Sequence, residues 1–174
     1  PFLVTEVGLP ADAVPLASTS GLGVNRLTPR HMLKVYRALL DELHVNKLKA
    51  ADILPVAGVD PGTLQKRYAL SPGRGSIIAK TGTLGRTDGG ASALVGQLRT
   101  RSGETLLFVI FNQRGSVVRF RAAQDALVSQ VQHERGGPLP FTYQPQTLAM
   151  RLSASEFDST RPGSLDEYEP TANQ

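Results

Sequence analysis

The stretch IIAKTGTLG, residues 77–85, places a lysine, a hydroxyl residue and a glycine directly after an apolar run. A buried strand normally continues with β-branched or aromatic residues, and an interior glycine weakens it. The triplet Lys80-Thr81-Gly82 therefore indicates the end of a strand at which packing alone did not choose the side chains. Taken alone the triplet is a weak signal, since an ordinary strand lysine can extend its ammonium group into water where a turn begins.

The residues around this stretch predict a sheet of three strands. The predicted strands are Ser76–Leu84, Ala91–Arg99 and Glu104–Asn112. Ser102-Gly103 forms a short turn between the last two, which predicts an antiparallel hairpin. The run Leu106–Phe111 has no polar alternation, and this predicts a strand that is covered on both faces.

Two helices are predicted on either side of these strands. The first spans about Asn25–Leu43, where Thr28 can cap the helix and Pro29 suits its first position. The second spans about Val117–His133 and ends before Gly136-Gly137-Pro138. Its predicted buried stripe consists of Phe120, Ala123, Leu127 and Val131. The predicted fold class is α/β (α+β), with an antiparallel sheet flanked by helices.

The chain divides into a domain and a tail. The prolines and glycines of residues 50–68 predict a long, ordered, turning connection, and such loops are often functional. Residues 1–137 are predicted to belong to one domain. Residues 138–174 are predicted to form an extended, disordered tail, because apolar periodicity fades and Pro, Ser, Thr and acids dominate after Met150.

Composition excludes several classes of function. The chain has no cysteine, so disulfides, thiol catalysis and cysteine metal sites are excluded. The balance of 19 Lys+Arg against 15 Asp+Glu is only mildly basic, and without a basic run or a recognition motif it does not predict nucleic-acid binding. The longest fully apolar run, Leu106–Phe111, is far shorter than the roughly 20 residues that cross a bilayer. We expect no transmembrane segment, and we expect that the sequence is a piece of a longer chain.

Three separated motifs together resemble a known family. They are SGL…NRLTP at residues 20–29, LPVAGVD…GTL…R at residues 54–67, and AKTGTL at residues 79–84. In this order they resemble the D-alanyl-D-alanine carboxypeptidase/endopeptidase family of low-molecular-mass penicillin-binding proteins. The resemblance implies the C-terminal part of a β-lactamase/transpeptidase-like fold, in which a serine attacks the carbonyl between two D-alanines and water releases the acyl-enzyme.

The resemblance also implies a role for each residue of the strand motif. Lys80 would place a positive charge beside the nucleophile and the terminal carboxylate of the substrate. Thr81 would hydrogen-bond that carboxylate, and Gly82 would let substrate backbone lie against the strand. The N–H of Thr83 would be one donor of the oxyanion hole. The catalytic residues implied are thus Lys80 and Thr83, and the substrate-binding residues are Thr81, Gly82 and Thr83.

Two departures from the family pattern stand out. The family's S-x-x-K motif, which holds the nucleophile, and its S-x-N motif are both missing from these 174 residues. The chain alone is therefore expected to be inactive. In addition, the family's D-G-S-G-L reads Ser18-Thr19-Ser20-Gly21-Leu22 here, so the carboxylate is lost. The alternative left open is a non-catalytic module of this type that binds cell-wall peptide or a protein partner.

The resemblance further implies partners and a location. The partners are a peptidoglycan peptide ending in D-Ala-D-Ala, β-lactams and the remaining N-terminal part of the parent chain. The location implied is extracytoplasmic: periplasm, cell wall or secreted. No metal or organic cofactor is implied.

Other candidate residues are weaker. His31, His44 and His133 lack metal-ligand spacing and are predicted to be surface residues on helices. Asp88-Gly89-Gly90 is predicted to be a turn between strands, and the alternative is that it borders a substrate cleft.

Overall fold

A computed structural model describes residues 2–13, 15–17, 25–85 and 89–143. The helices are α1 (Phe2–Thr5), a 3-10 turn (Ala11–Ala13), α2 (Pro29–Val45), α3 (Ala50–Ile53) and α4 (Val117–Glu134). The strands are β1 (Ile77–Leu84), β2 (Ala91–Arg99) and β3 (Thr105–Gln113). The predicted mixed α/β class with a three-stranded antiparallel sheet is confirmed.

The sheet has the order β1-β2-β3, with both neighbouring pairs antiparallel. Lys80 lies opposite Val95, and Val95 lies opposite Val109 on the third strand. Gly96 allows β1 and β2 to approach, because a Cβ added there would come within 2.2 Å of the carbonyl oxygen of Ile78. The central strand thus carries a glycine for a packing reason.

Helix α2 begins at Pro29, directly after its N-cap residue Thr28. The hydroxyl of Thr28 accepts a 3.1 Å hydrogen bond from the N–H of His31, and Pro29 opens the helix. The helix therefore starts four residues later than Asn25, the first residue of the predicted helix. The connection that follows also differs from the prediction, since Ala50–Ile53 forms a single helical turn before the loop.

The sheet has a hydrophobic cluster on each face. On one face, Ile77 and Ala79 pack with buried residues of the loop, of β2 and of α4, among them Leu64, Leu94 and Val128. On the other face, Ile78 packs with buried residues of α3 and of the loop. Alternate residues of β1 therefore face opposite layers, as the pleat of a strand requires.

Helix α4 turns a different stripe toward the sheet than the one predicted. Leu127 is 48% exposed, while the buried residues are Gln124, Val128 and Gln132. The amide of Gln124 donates to the Ser92 carbonyl and to Asn112, and that of Gln132 donates to Ser76 and to the Arg99 carbonyl. The prediction was wrong for Ala123 and Leu127, which are exposed, whereas Phe120 and Val131 are half-buried as predicted. Buried glutamines can satisfy main-chain and hydroxyl groups of the sheet, and apolar periodicity does not register this.

Strand β3 is the second edge of the sheet. Residues 106–112 are all half-buried, and none is fully buried. The prediction of a strand covered on both faces is therefore only partly met: Leu106, Phe108 and Ile110 pack against the cluster on the α4 side, while solvent still reaches the strand.

The chain after α4 returns to the body of the domain. The N–H of Leu139 donates to the Arg99 carbonyl, and the N–H of Phe141 donates to the Gly75 carbonyl. Phe141 and Tyr143 pack against the cluster around Ile78. The part of the predicted tail that the structure describes is thus docked on the domain, and residues 144–174 lie outside the described residues. Within the described residues, no helix combines the length and the apolar character needed to cross a lipid bilayer.

Candidate active site

Accessibility changes abruptly along β1. Residues 77–79 are buried, whereas Lys80, Gly82 and Thr83 are exposed and Thr81 is half-buried. We call residues 80–83 the Lys80–Thr83 edge. The strand therefore contributes its first half to the core and presents its second half at the surface, as the sequence predicted.

The hydrogen bonds of β1 show which main-chain groups face outward. The N–H of Ala79 donates to the carbonyl of Pro55, and the carbonyl of Ile77 accepts from Ala57, so these two residues bond away from β2. Because the direction alternates along an antiparallel strand, the main-chain groups of Thr81 and Thr83 also face away from β2. Past Ala79, no main-chain group of a described segment other than β2 bonds to this edge.

Lys80 lies on this edge without an acidic partner. Its ammonium group donates a 2.6 Å hydrogen bond to the carbonyl oxygen of Thr81. No carboxylate of the described residues forms a salt bridge with it, the two salt bridges found there being Arg67–Asp125 and Arg135–Glu104. The positive charge is thus free to act on an anion.

Gly82 is not required by packing. A Cβ added at Gly82 would meet the Cβ of Ala93 at 3.4 Å, which is an ordinary contact, and its φ is not positive. This differs from Gly96, where the added atom would collide with backbone. A glycine at an exposed position with room for a side chain points to a need for open space beside the strand.

The long loop before β1 reaches the site. The hydroxyl of Thr81 donates a 2.9 Å hydrogen bond to the hydroxyl of Thr63. Sequence reasoning placed Thr63 within a family motif but gave it no role. Its contact with β1 is a tertiary one, and only the G-T-L motif itself hinted at it.

Two buried or partly buried groups anchor this loop. The carboxylate of Asp60, a residue 1% exposed, accepts from the Val56 N–H at 2.8 Å and from the Tyr143 hydroxyl at 3.1 Å. Arg67 forms a salt bridge with Asp125 of α4 and also donates to Gln124. The loop that carries Thr63 is therefore tied to α4 and to the chain that follows it.

Tyr68 lies buried beside this salt bridge. Burial, followed by the negative charge of Asp125, raises the pKa of Tyr68 above its ordinary range. Tyr68 also adopts a φ of 62°, which marks a sharp turn of the chain after Arg67. The phenol is thus held neutral at the base of the loop.

A second residue missed by sequence reasoning is Arg121. Its guanidinium donates a 3.0 Å hydrogen bond to the hydroxyl of Thr83 from the first turns of α4. Arg121 is exposed near the start of α4. Nothing in the sequence near Arg121 indicated that α4 passes the end of β1.

The remaining predicted candidates do not join the site. His44 and His133 are exposed, but His31 is partly buried and its Nδ1 has no hydrogen-bond partner, so the prediction of a surface residue was wrong for it. Residues 86–88 and 18–24, which include Asp88 and the Ser18–Leu22 motif, lie outside the described residues. Among the residues that the structure covers, no group of three His, Asp or Glu side chains could hold a metal ion.

Comparison with solved structures establishes the fold. Bd0816 predatory endopeptidase from Bdellovibrio bacteriovorus, in complex with immunity protein Bd3460, is 23% identical with a TM-score of 0.69, covering 83% of this chain and 38% of that one. Penicillin G-acylated Bd3459 predatory endopeptidase from the same organism, in complex with the same immunity protein, is 22% identical with a TM-score of 0.70, covering 83% and 40%. A further form of Bd3459 is 26% identical with a TM-score of 0.62, covering 75% and 34%. The chain thus spans less than half the length of these structures.

No curated protein sequence matches the chain. A family model does match it, over residues 3–135, and its description is the D-Ala-D-Ala carboxypeptidase 3 (S13) family. The match includes all three motifs and every strand and helix from α2 to α4. The chain shares the fold of the solved endopeptidases, and on the ground of the family match it belongs to the D-Ala-D-Ala carboxypeptidase 3 (S13) family.

Proposed function

We propose that this chain supplies one wall of the active site of a longer serine-type D-Ala-D-Ala carboxypeptidase or endopeptidase. The complete enzyme acts on peptidoglycan stem peptides outside the cytoplasmic membrane, by way of an acyl-enzyme. The observation that carries the proposal is the Lys80–Thr83 edge, where a free strand edge, an ammonium group without a carboxylate partner among the described residues and a glycine with space beside it occur together in a member of this family.

An extended substrate peptide fits this edge as an added strand. A free strand edge offers main-chain donors and acceptors to an incoming peptide, which gives affinity without consuming side chains. The outward N–H of Thr83 would donate to the carbonyl oxygen as it gains charge, a contribution typically worth about 10²–10³ in rate. Gly82 would leave room for the substrate backbone between these contacts.

The side chains supply charge and a hydroxyl. The ammonium group of Lys80, now on the Thr81 carbonyl, would turn to the nucleophile and to the substrate's terminal carboxylate, favouring proton transfer and binding. The hydroxyl of Thr81 would hydrogen-bond that carboxylate, with Thr63 as its partner in the free enzyme. Lys80 and Thr83 would thus be catalytic, and Thr81, Gly82 and Thr83 would bind substrate.

The nucleophile would come from the part of the protein that lies outside these residues. The 174 residues contain no S-x-x-K or S-x-N sequence, and the chain spans 38% and 40% of two solved relatives. We therefore expect that the chain alone takes no covalent label from a fluorescent penicillin, whereas the full-length protein labels on its own serine.

The test compares two lysine variants in the full-length protein. Lys80→Ala should slow penicillin acylation by one to several orders of magnitude, because a charge-assisted hydrogen bond alone is worth roughly 10–150-fold and proton transfer is impaired as well. Lys66→Ala is the matched control, since Lys66 is an exposed lysine of the loop without a described side-chain partner. Acylation of the Lys80→Ala variant at the wild-type rate would contradict the proposal.

A second candidate function is a non-catalytic module that binds cell-wall peptide or a protein partner. The absence of S-x-x-K and S-x-N from these residues, and Ser18-Thr19 in place of the family's Asp-Gly, favour it. A full-length protein that binds a peptide ending in D-Ala-D-Ala but takes no penicillin label would support this function over the first.

A further inference from the structure

Helix α4 places a second cation beside the Lys80–Thr83 edge. The guanidinium of Arg121 donates to the hydroxyl of Thr83 at 3.0 Å, across 38 residues of sequence. Thr81 and Thr83 lie on the same face of β1, because side chains two residues apart share a face and are separated by roughly 7 Å. Arg121 therefore contacts the hydroxyl of Thr83 on the face of the strand that also carries Thr81, while Lys80 projects on the other face.

The charge of Arg121 is not neutralised by an acid of the described residues. Arg67 and Arg135 each form a salt bridge, with Asp125 and Glu104 respectively, whereas Arg121 has only the neutral hydroxyl of Thr83. An arginine presents five N–H donors in a fixed planar fork. The bond to Thr83 uses one of them, so the others remain for an anion.

The bond to Thr83 also sets the direction in which that hydroxyl can act. A hydroxyl that accepts a hydrogen bond from a guanidinium keeps its own O–H free to donate elsewhere. Donation to a carboxylate beside the strand would complete a chain from guanidinium to hydroxyl to anion. Arg121 thus orients Thr83 as a donor and adds a full positive charge next to it.

A purely structural role does not account for this contact. Helix α4 is already held to the sheet by the buried Gln124 and Gln132 and to the loop by Asp125. A hydrogen bond between two exposed side chains adds little to stability by comparison. The contact is therefore better explained by an effect on what binds at the edge.

We propose that Arg121 is a specificity-determining residue that, together with Thr83, selects ligands carrying a carboxylate at the Lys80–Thr83 edge. The inference rests on the proposed function, since the ligand is the stem peptide or β-lactam that occupies this edge. It adds a residue of α4 to the residues of the strand motif. Its readout is discrimination between an acid and its neutral counterpart.

The test uses the full-length protein and a matched pair of peptides, one ending in D-Ala-D-Ala with a free carboxylate and the other ending in the C-terminal amide. Arg121→Gln should lower kcat/KM for the acid on the order of tenfold, mostly through a higher KM. The same substitution should change kcat/KM for the amide by less than about twofold. Arg121→Lys should restore part of the loss, because it keeps the charge but not the fork. Arg119→Gln is the control, since it removes the same charge from an exposed position two residues away on α4.

The possible outcomes distinguish a failure of the role of Arg121 from a failure of the proposed function. Equal losses on acid and amide, or no loss on either, would overturn the role of Arg121 in specificity. A similar loss of acid selectivity in Arg119→Gln would show that only net charge matters, and would also overturn it. A wild-type protein that neither cleaves the acid nor takes a penicillin label would overturn the proposed function itself, and this inference with it.

Discussion

The hydroxyl of Thr81 on the edge strand donates a 2.9 Å hydrogen bond to the hydroxyl of Thr63 in the loop that precedes it. The two residues are 18 positions apart, and the loop between them is tied to α4 through Arg67 and Asp125. The position of a strand hydroxyl is thus coupled to the packing of a loop. A substrate carboxylate that engages Thr81 would have to replace Thr63 as its partner.

A first prediction distinguishes the contribution of the Thr81 hydroxyl to acylation from that of the Thr63 hydroxyl. In the full-length protein, Thr81→Val should slow penicillin acylation roughly 2–10-fold, the value of a neutral hydrogen bond, and so less than Lys80→Ala. Thr63→Val should have a smaller effect, since it removes only the partner of the free state. Acylation rates of the three variants check this order. An effect of Thr63→Val as large as that of Thr81→Val would show that Thr63 contacts the ligand itself.

A second prediction contrasts two glycines of the sheet. Gly96→Ala should destabilise the protein by several kcal/mol, because its Cβ would lie 2.2 Å from the Ile78 carbonyl oxygen and 2.5 Å from the Ala79 Cβ. Gly82→Ala should leave the Tm nearly unchanged, since its Cβ finds room at 3.4 Å from Ala93. Its effect should instead be slower acylation, as the methyl group occupies the place of substrate backbone.

Thermal unfolding and penicillin labelling of both variants provide the measurement. A stable Gly82→Ala variant that acylates at the wild-type rate would show that no substrate backbone lies against this glycine. A Gly82→Ala variant that unfolds as readily as Gly96→Ala would show that the glycine is structural after all.

The strands could be predicted from the sequence, whereas the partners of the site could not. The hairpin of β2 and β3 is signalled locally, by two apolar runs around Ser102-Gly103, so its bounds were found to within one residue. The exposed end of β1 was predicted because a lysine and a glycine contradict the pattern of a buried strand. The contacts of Thr63 and Arg121 with β1 were missed because they depend on where a loop and a distant helix pass, which no local pattern encodes.

The inward face of α4 was missed for a different reason. Apolar periodicity predicted Leu127 as a buried residue, yet the helix buries Gln124 and Gln132, whose amides satisfy polar groups of the sheet. Burying an amide is costly unless it is hydrogen-bonded, and here the sheet supplies the partners. Because apolar periodicity counts apolar residues only, the predicted buried face of α4 differs from the observed one by about one residue along the helix.

A third prediction concerns alkaline pH. Burial raises the pKa of Tyr36 to about 12, whereas a tyrosine of the unfolded chain titrates near 10. The folded state therefore disfavours the ionised phenol, so its contribution to stability is complete below pH 10 and is lost as the pH rises from about 10 to about 12. The loss should reach about 2–3 kcal/mol.

Tyr36→Phe tests this contribution, because phenylalanine has no proton to lose. The free energy of unfolding of the variant should fall less steeply than that of the wild type over this pH interval. Chemical unfolding at a series of alkaline pH values measures the slope, and the raised pKa of Tyr68 acts equally in both proteins. Identical slopes would show that Tyr36 titrates normally in the folded state.

A fourth prediction distinguishes the docked chain after α4 from the acidic end of the sequence. Deleting residues 151–174 should leave the Tm nearly unchanged, because five acids, two prolines and no apolar periodicity give this segment little to bury. Phe141→Ala should lower the Tm by several degrees, since Phe141 packs against the cluster of Val56 and Ile78. A drop of more than a few degrees on the deletion would show that the acidic end also docks.

The last prediction follows from the second edge of the sheet. Strand β3 and helix α4 line an apolar groove of about 370 Å³, to which Leu106, Phe108, Leu127 and Val131 contribute. Solved relatives are about two and a half times as long as the stretch that matches them, since the match covers 38% and 40% of their chains. We therefore expect that the groove is covered in the full-length protein by the remainder of the chain.

The chain produced alone should be only marginally stable and should bind a dye that fluoresces on apolar surfaces, while the full-length protein should not. Leu127→Gln, within the groove, should reduce dye binding markedly. Val118→Gln should not, although Val118 is 76% exposed on the same helix, because it lies outside the groove. Equal effects of the two substitutions would show that the dye binds outside the groove. Cooperative unfolding of the chain alone, with high stability, would show that β3 and α4 need no cover from the rest of the protein.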